Sequence, residues 1–420
     1  MNKGVVRKEK AMEYENLFKP IKIGPVEIKN RIGMAPMNLF FSEPEGSVSE
    51  QQMAYYAARA KGGVGLIVTE AIRTSMEGVN RTFYANLRLF DVNWQNKMSE
   101  LFETIHCFGA KVFAQMNIGP GPQGSTARGF QTYAASAVGY ELTKENIPRT
   151  LLPRIEKGQL YCHFKGEIPR PMTIEEIRRD TEDCVKSCRM AVVAGADGIQ
   201  IHCAHGYLLH SFLSPRFNKR TDQYGGSLEN RMRFMLEVME KVREAAGPKI
   251  ALGVRAVADE HVPGGLTPDE MKLVAAELER LGYDFFHIAS GSYEAMRWMN
   301  PEKDGLWDAE TKVVKGAVKR MPILGTGCHS PEEADKAIGE GTYDMILHGR
   351  PMMADPEWAN KVKEGREGEI VKCVRDLECT ARLFSGLPVR CSQNPNLGRE
   401  RYMPEYWRPA VKRGYRRAID

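Results

Sequence analysis

The chain has 420 residues, 42% hydrophobic and 27% charged, with a formal net charge of +5, which suits a globular protein of one large domain plus an appendage, or of two domains. No basic stripe with interleaved aromatics appears, so nucleic-acid binding is not expected, and no apolar run reaches the ~18 residues of a membrane span. The basic start lacks the apolar core of a signal peptide, and nine cysteines without such a signal argue against a disulfide scaffold, so a cytoplasmic protein is expected.

In chain order, short β-rich apolar segments alternate with longer amphipathic ones. A hairpin over residues 21–29 comes first and is placed to plug the bottom of a barrel. Strands are expected at 32–37, 64–69, 111–116, 198–201, 250–255, 285–289, 322–325 and 345–347. Helices are expected at 50–61, 94–108, 174–194, 228–246, 268–281, 310–320, 331–340 and 356–363. Thr173 and Thr267 suit N-caps, and Pro331 and Pro356 suit first helical positions. Strand–helix alternation of this length predicts an α/β chain, a (β/α)8 TIM barrel over 14–366 with a cysteine-containing extension over 367–420. The rival is an open doubly wound sheet, which opens with Gly-x-Gly-x-x-Gly after its first strand; nothing of that kind follows Met37. A Gly- and Pro-rich insertion at 119–172 falls after the third strand and reads as a lid or substrate wall, with disorder as the alternative.

The most informative segment begins at the end of the apolar run 191–201. There His202, His205 and Tyr207 cluster where a parallel strand stops. Two imidazole donors and a weak acid suit the holding of a carbonyl oxygen while a proton is delivered nearby, the alternative being satisfied polar residues at a strand end. After the seventh and eighth strands come Gly325-Thr-Gly-Cys-His-Ser330 and His348-Gly-Arg350. Glycine turns with an arginine at this end of a barrel point to a phosphorylated ligand. Arg255 and Gln115 end their strands and would face the mouth beside His202. Cys107, Cys162, Cys184, Cys188, Cys203 and Cys328 are scattered and read as ordinary thiols, whereas Cys373, Cys379 and Cys391 crowd into one short stretch.

Asn30-Arg-Ile-Gly-Met-Ala-Pro-Met37, Ala204-His-Gly-Tyr-Leu-Leu-His210, the 220–231 segment and His348-Gly-Arg350 resemble the old yellow enzyme family of flavin oxidoreductases over roughly residues 14–400. The branch resembled is that of 2,4-dienoyl-CoA reductase and trimethylamine dehydrogenase. The resemblance implies FMN at the barrel mouth. Ala35, Pro36 and Met37 would back its ring, Ala71 and Gln115 would meet its polar edge, and Arg255 would sit by the N1–C2=O side. Gly327, Gly349 and Arg350 would hold the phosphate. His202 and His205 match the family's substrate-anchoring pair, and Tyr207 its proton donor. The implied reaction is reduction of the C=C bond of an α,β-unsaturated carbonyl compound or enoyl thioester. The alternatives are an amine dehydrogenase or demethylase and an electron-transfer subunit.

The branch also carries a four-cysteine [4Fe–4S] site after its barrel. Here Cys373, Cys379 and Cys391 keep three of those places, and Asp376 stands where another cysteine is expected. A cluster with Asp376 or an outside group as fourth ligand is expected; a three-iron cluster or an empty degenerate site is the alternative. Strand three reads Gln115-Met-Asn-Ile-Gly-Pro-Gly121 where many members have Gln-Leu-x-His-x-Gly-Arg, and Tyr293 stands near a second catalytic histidine of the dienoyl-CoA reductases. No Gly-x-Gly-x-x-Gly turn lies in the segment 367–420 after the barrel, so electrons are expected from NAD(P)H bound directly or from a partner protein carrying FAD or NAD(P)H. The other expected partners are a small-molecule substrate and further copies of the chain.

Overall fold

Alternation of side chains along short parallel strands decides the architecture. The computed structural model describes residues 14–82, 87–160, 164–327 and 329–406. Its barrel strands are β1 (Ile32–Met34), β2 (Leu66–Val68), β3 (Lys111–Asn117), β4 (Gly198–Cys203), β5 (Ala251–Val257), β6 (Phe285–Ala289), β7 (Ile323–Gly327) and β8 (Met345–His348). Each pairs in parallel with its chain neighbour, β8 pairs with β1, and β2 pairs with β3, so the sheet closes on itself as a (β/α)8 barrel. The two-residue strand Ile72–Arg73 adds to the upper end of β3.

On β5, Leu252, Val254 and Ala256 face the outer layer between strands and helices, whereas Ala251 points inward with Phe113, Phe285, Leu324 and Met345. Phe113 and Phe285 stack at 5.2 Å between centroids, a contact worth ~0.5–1.5 kcal/mol beyond its burial. Ile21, Ile23, Val26 and Ile28 of the antiparallel hairpin join this interior, so the hairpin closes the barrel bottom.

The helices are α1 (Glu50–Lys61), α2 (Val92–Cys107), α3 (Ile174–Val193), α4 (Leu228–Ala246), α5 (Pro268–Arg280), α6 (Asp308–Lys315), α7 (Pro331–Gly339) and α8 (Trp358–Lys363). Thr173 and Thr267 cap α3 and α5, and Pro331 opens α7, as expected. Several boundaries differ by a few residues, and three places show why. α3 stops at Val193, because Gly195 at φ +101° turns the chain toward β4, which runs on to Cys203. α6 stops at Gly316 instead of reaching residue 320. α8 starts at Trp358, because Asp355 Oδ1 accepts from the Glu357 amide and holds Pro356 outside the helix.

The insertion at 119–172 is built rather than disordered over its described residues. Strand Tyr133–Ala134 pairs with Arg170–Pro171, and helix Leu152–Glu156 lies between them. Tyr140, Leu142, Ile147, Leu151 and Ile155 form a small core with Met296, Leu377, Ala381 and Phe384, so the insertion packs on the C-terminal segment. That segment is tied to the barrel by Arg59 and Glu400, a pair 2.5 Å apart with 0% and 2% side-chain exposure. Arg59 also donates to Met352 O at 3.0 Å and lies over the Tyr55 ring, so its charge is compensated on several sides.

Glu70 anchors the upper end of β2. Its carboxylate accepts from the Leu39 amide at 3.0 Å and from Gln52, while its own amide donates to Tyr56 Oη at 2.8 Å. Burial pushes this carboxyl up from 4.5 to about 8. A folded value above the unfolded one gives stability that is complete below the unfolded value and fades as pH rises through about 8. The Glu70→Gln variant should therefore lose less of its thermal midpoint than the native protein between about pH 6 and about pH 9. Parallel curves from scanning calorimetry would show that Glu70 is ionised throughout.

Candidate active site

A cavity of about 1160 Å³ opens at the C-terminal ends of the strands. Ala35, Pro36 and Met37 enter it after β1, Ala71 after β2 and Gln115 from β3. His202, His205 and Tyr207 come from β4 and its loop, Arg255 from β5, Gly327 from β7, and Gly349 and Arg350 from the turn after β8. Every residue singled out for FMN and for the chemistry thus lines one space. Tyr293, Thr326 and Trp307 share it, and Cys379, Leu383 and Phe384 of the C-terminal segment close one side.

The β4 loop explains the clustering of its functional groups. His202 points inward beside Arg255, its partner across the β4–β5 ladder. His205 (φ +60°) and Gly206 (φ +84°) are both left-handed and swing the chain so that Tyr207 precedes helix Leu208–Leu213. A Cβ on Gly206 would lie 2.4 Å from Gln123 Nε2, so the turn needs glycine. The His202 ring is then 5.8 Å from that of His205 and 4.9 Å from that of Tyr207. Tyr207 Oη lies 3.4 Å from Tyr293 Oη.

Burial, then the Arg255 charge, holds both imidazoles well below their ordinary pKa. They are neutral hydrogen-bonding rings at physiological pH. Arg255 is itself pushed down to about 10 by burial, still a cation at neutral pH. No carboxylate pairs with it among the described residues; its Nη1 reaches only Pro36 O at 3.5 Å, and its Nε is buried without a partner. Arg350 likewise donates to Pro301 O at 2.8 Å and keeps Nη1 buried and unpartnered. A Cβ on Gly349 would lie 3.1 Å from Met37 Sδ, and one on Gly327 would lie 2.7 Å from the His329 ring. His348, neutral because burial pushes it down to about 3, donates from Nδ1 to Gly327 O at 3.3 Å and ties the two glycine turns together. Two under-satisfied guanidiniums at opposite sides and a glycine cradle between turns fit an elongated ligand with a polar, electron-accepting edge and a phosphate. FMN is such a ligand.

Three features escaped the sequence reading. Under the cavity, Gln115 donates to Gln200 at 2.6 Å, Gln200 to His287 Nδ1 at 2.9 Å, and His287 in turn to Thr326. This chain crosses the barrel and fixes which atoms of Gln115 and Thr326 remain for a ligand. Behind Tyr207, Arg73 donates to Asn117 at 2.9 Å, yet its Nε and Nη2 are buried without partners, as are Asn117 Nδ2 and both amide atoms of Gln123. Arg73 lies 5.9 Å from the Tyr207 ring. A period of two from Ala71 and from Gln115 reaches Arg73 and Asn117, so the signal was present in the alternation. Third, Glu260 lies under the β4 loop, where its carboxylate is 3.1 Å from His210 Nε2 and accepts from Ser214 at 2.7 Å, all fully buried.

Cys373, Cys379 and Cys391 line a smaller pocket of about 310 Å³ with Asp376, Arg350 and Met353. Burial pushes the Cys379 thiol up to about 11; Arg350 opposes this, and Cys373 and Cys391 add to it. The three sulfurs are thus electrostatic neighbours, a donor set suited to iron. Cys379, Arg350 and Met353 line both pockets, so the cradle and the large cavity share a wall.

A family model described as NADH:flavin oxidoreductase / NADH oxidase family matches residues 16–369. The chain is 38% identical over 406 residues to the NADH oxidase of Thermoanaerobacter brockii, covering 95% of this chain and 59% of the relative. It is 33% identical over 413 residues to the cinnamate reductase of Clostridium sporogenes, covering 93% of this chain and 59% of that protein. The solved complex of 2-naphthoyl-CoA reductase with 2-naphthoyl-CoA superposes with a TM-score of 0.80 at 30% identity, covering 92% of this chain and 58% of that one. The chain therefore spans about three-fifths of the length of these relatives. With the flavin-sized cavity and its residues in place, the match makes this chain a member of the NADH:flavin oxidoreductase / NADH oxidase family, the family of old yellow enzyme.

Proposed function

We propose that the chain is an FMN-dependent oxidoreductase that reduces the C=C bond of an α,β-unsaturated carbonyl compound or enoyl thioester. The observation that carries this reading is a pair of neutral, buried imidazoles beside a phenol, with ring separations of 4.9 and 5.8 Å, at the mouth of the cavity. Ala35, Pro36 and Met37 would back the flavin ring, with Ala71, Gln115 and Arg255 at its polar edge and Gly327, Gly349 and Arg350 at its phosphate. Bound FMN, once reduced, supplies a hydride for the β-carbon of the substrate.

The chain's own residues do the rest. His202 and His205 donate hydrogen bonds to the carbonyl oxygen, which gains charge as the π bond breaks. Tyr207 gives its proton to the α-carbon, completing addition of two hydrogens across the double bond. Arg73 stabilises the charge then left on Tyr207; at its 5.9 Å from the ring the attraction is roughly 2–3 kcal/mol for an effective dielectric of 20. Tyr293 is placed to return a proton. The names of the relatives support a nicotinamide donor, an unsaturated acid and a thioester as the chemistry to test first. Cys373, Cys379, Cys391 and Asp376 would hold an iron–sulfur cluster that passes single electrons through the shared wall.

Tyr207→Phe should keep FMN bound while slowing reoxidation of the reduced flavin by an enone about 100-fold or more in anaerobic stopped flow. Unchanged rates would remove Tyr207 from the mechanism, and flavin reduction by tertiary amines in place of reoxidation by enones would make the chain an amine dehydrogenase. Arg73→Leu should slow the same step about 10- to 100-fold, again without loss of flavin. Iron and acid-labile sulfide, measured after anaerobic purification, should give about four of each per chain, or about three irons for a three-iron cluster. Zero iron would end the cluster proposal.

A further inference from the structure

The loops after β5 and β6 carry a second constellation, outside both the cavity and the thiol cradle. Asp259 and His261 follow β5, Ser290 follows β6, and Glu310 lies in the first turn of α6. One ligand atom from each of Asp259, His261 and Glu310 lies within 4.8 Å of the others. His261 Nε2 is 3.0 Å from Ser290 Oγ and 3.0 Å from Glu310 Oε2, and its Nδ1 is 3.6 Å from Asp259 Oδ1. The imidazole is stacked on Trp298 at 3.7 Å and 9°, which fixes its plane.

Ser290, His261 and Asp259 have the order of a nucleophile, a base and an acid. That reading fails, because Ser290 is 0% exposed and Glu310 occupies the same ring nitrogen.

Charge balance favours a bound cation. Two carboxylates meet at one imidazole, and their ion pairs among the described residues are to that imidazole alone, with no Lys or Arg. Glu310 is only 9% exposed, and its Oε1 is buried with no hydrogen-bond partner. A protonated His261 would supply one positive charge; a divalent cation would neutralise both carboxylates and satisfy Oε1. Ligands ~2.1 Å from one ion and at right angles lie ~3 Å apart, the spacing found here from His261 Nε2 to Ser290 Oγ and from His261 Nε2 to Glu310 Oε2. Asp259, a quarter exposed, is the ligand with room to swing inward.

We propose that Asp259, His261 and Glu310, with the Ser290 hydroxyl, bind one divalent first-row cation. One imidazole nitrogen with carboxylate and hydroxyl oxygens is a borderline-to-hard donor set, suited to Mn²⁺ or Zn²⁺. The ion would join the loops after β5 and β6 to α6. Because Met299, Asn300 and Pro301 follow Trp298 and line the cavity, it would brace one rim of the active site. This inference does not rest on the proposed reaction.

The test is calorimetric titration of the chelator-treated chain with MnCl2, and with ZnCl2 in a Cys373→Ser, Cys379→Ser, Cys391→Ser background that removes the thiols of the cradle. One ion should bind per chain with saturation, and Glu310→Gln and His261→Asn should each weaken it about tenfold or more. Circular dichroism and the bound-flavin spectrum report whether these variants fold. Where one does not, Asp259→Asn takes its place with the same expectation. Absence of saturable binding of either ion up to about 1 mM, or binding unchanged in the variants, would overturn the proposal and leave the cluster as ion pairs around His261.

Discussion

The mouth of this barrel is built around a buried positive charge with no carboxylate paired to it among the described residues. Arg255 sits in the middle of the mouth, flanked across the ladders by His202 on one side and His287 on the other. Burying a guanidinium costs several kcal/mol unless its surroundings compensate. Here the surroundings are neutral: burial and the Arg255 charge itself keep His202, His205 and His287 unprotonated. A carboxylate at this place would satisfy the cation and cancel its pull. No carboxylate among the described residues does so, and the charge stays uncancelled at the cavity wall.

The rest of the mouth is organised to coexist with that cation. The chain Gln115–Gln200–His287–Thr326 consists of neutral donors and acceptors in a fixed sequence, so no member needs to ionise. Arg73 repeats the theme behind Tyr207, where unpartnered donors again face a group that would become negative. Both clusters lie on strand faces that point inward and whose lower positions are apolar, so the same alternation that fills the barrel core delivers polar groups to its rim.

Much of this was readable from the chain. Runs such as Phe285–Ala289 are β-rich and end at turn residues, so the strands emerge in order, and the His202–Tyr207 motif could be placed at a strand end before any coordinates. What stayed hidden needs through-space information. The polar chain joins four strands, and no local pattern says that Gln200 meets His287. The core of the insertion was equally invisible, because Leu151 and Ile155 find their partners at Leu377 and Phe384, more than two hundred residues away. Residues without apolar period can still form a core when their contacts are supplied by a distant segment. Helix α6 ends early for a simpler reason: Gly316, a weak helix former, interrupts the amphipathic pattern.

That distant packing couples two parts of the molecule that the chain order keeps apart. Phe384 belongs to the insertion's core, stands against Tyr293 at 5.9 Å between centroids, and lies on the same short helix as Cys379. The cavity wall at Tyr293 and Phe384 and the thiol-bearing helix are therefore one mechanical piece, backed by the insertion. Any change in the insertion's core reaches Phe384 in the cavity wall and Cys379 on the same helix at once, so the shape of that wall and the spacing of the thiols are constrained to change together.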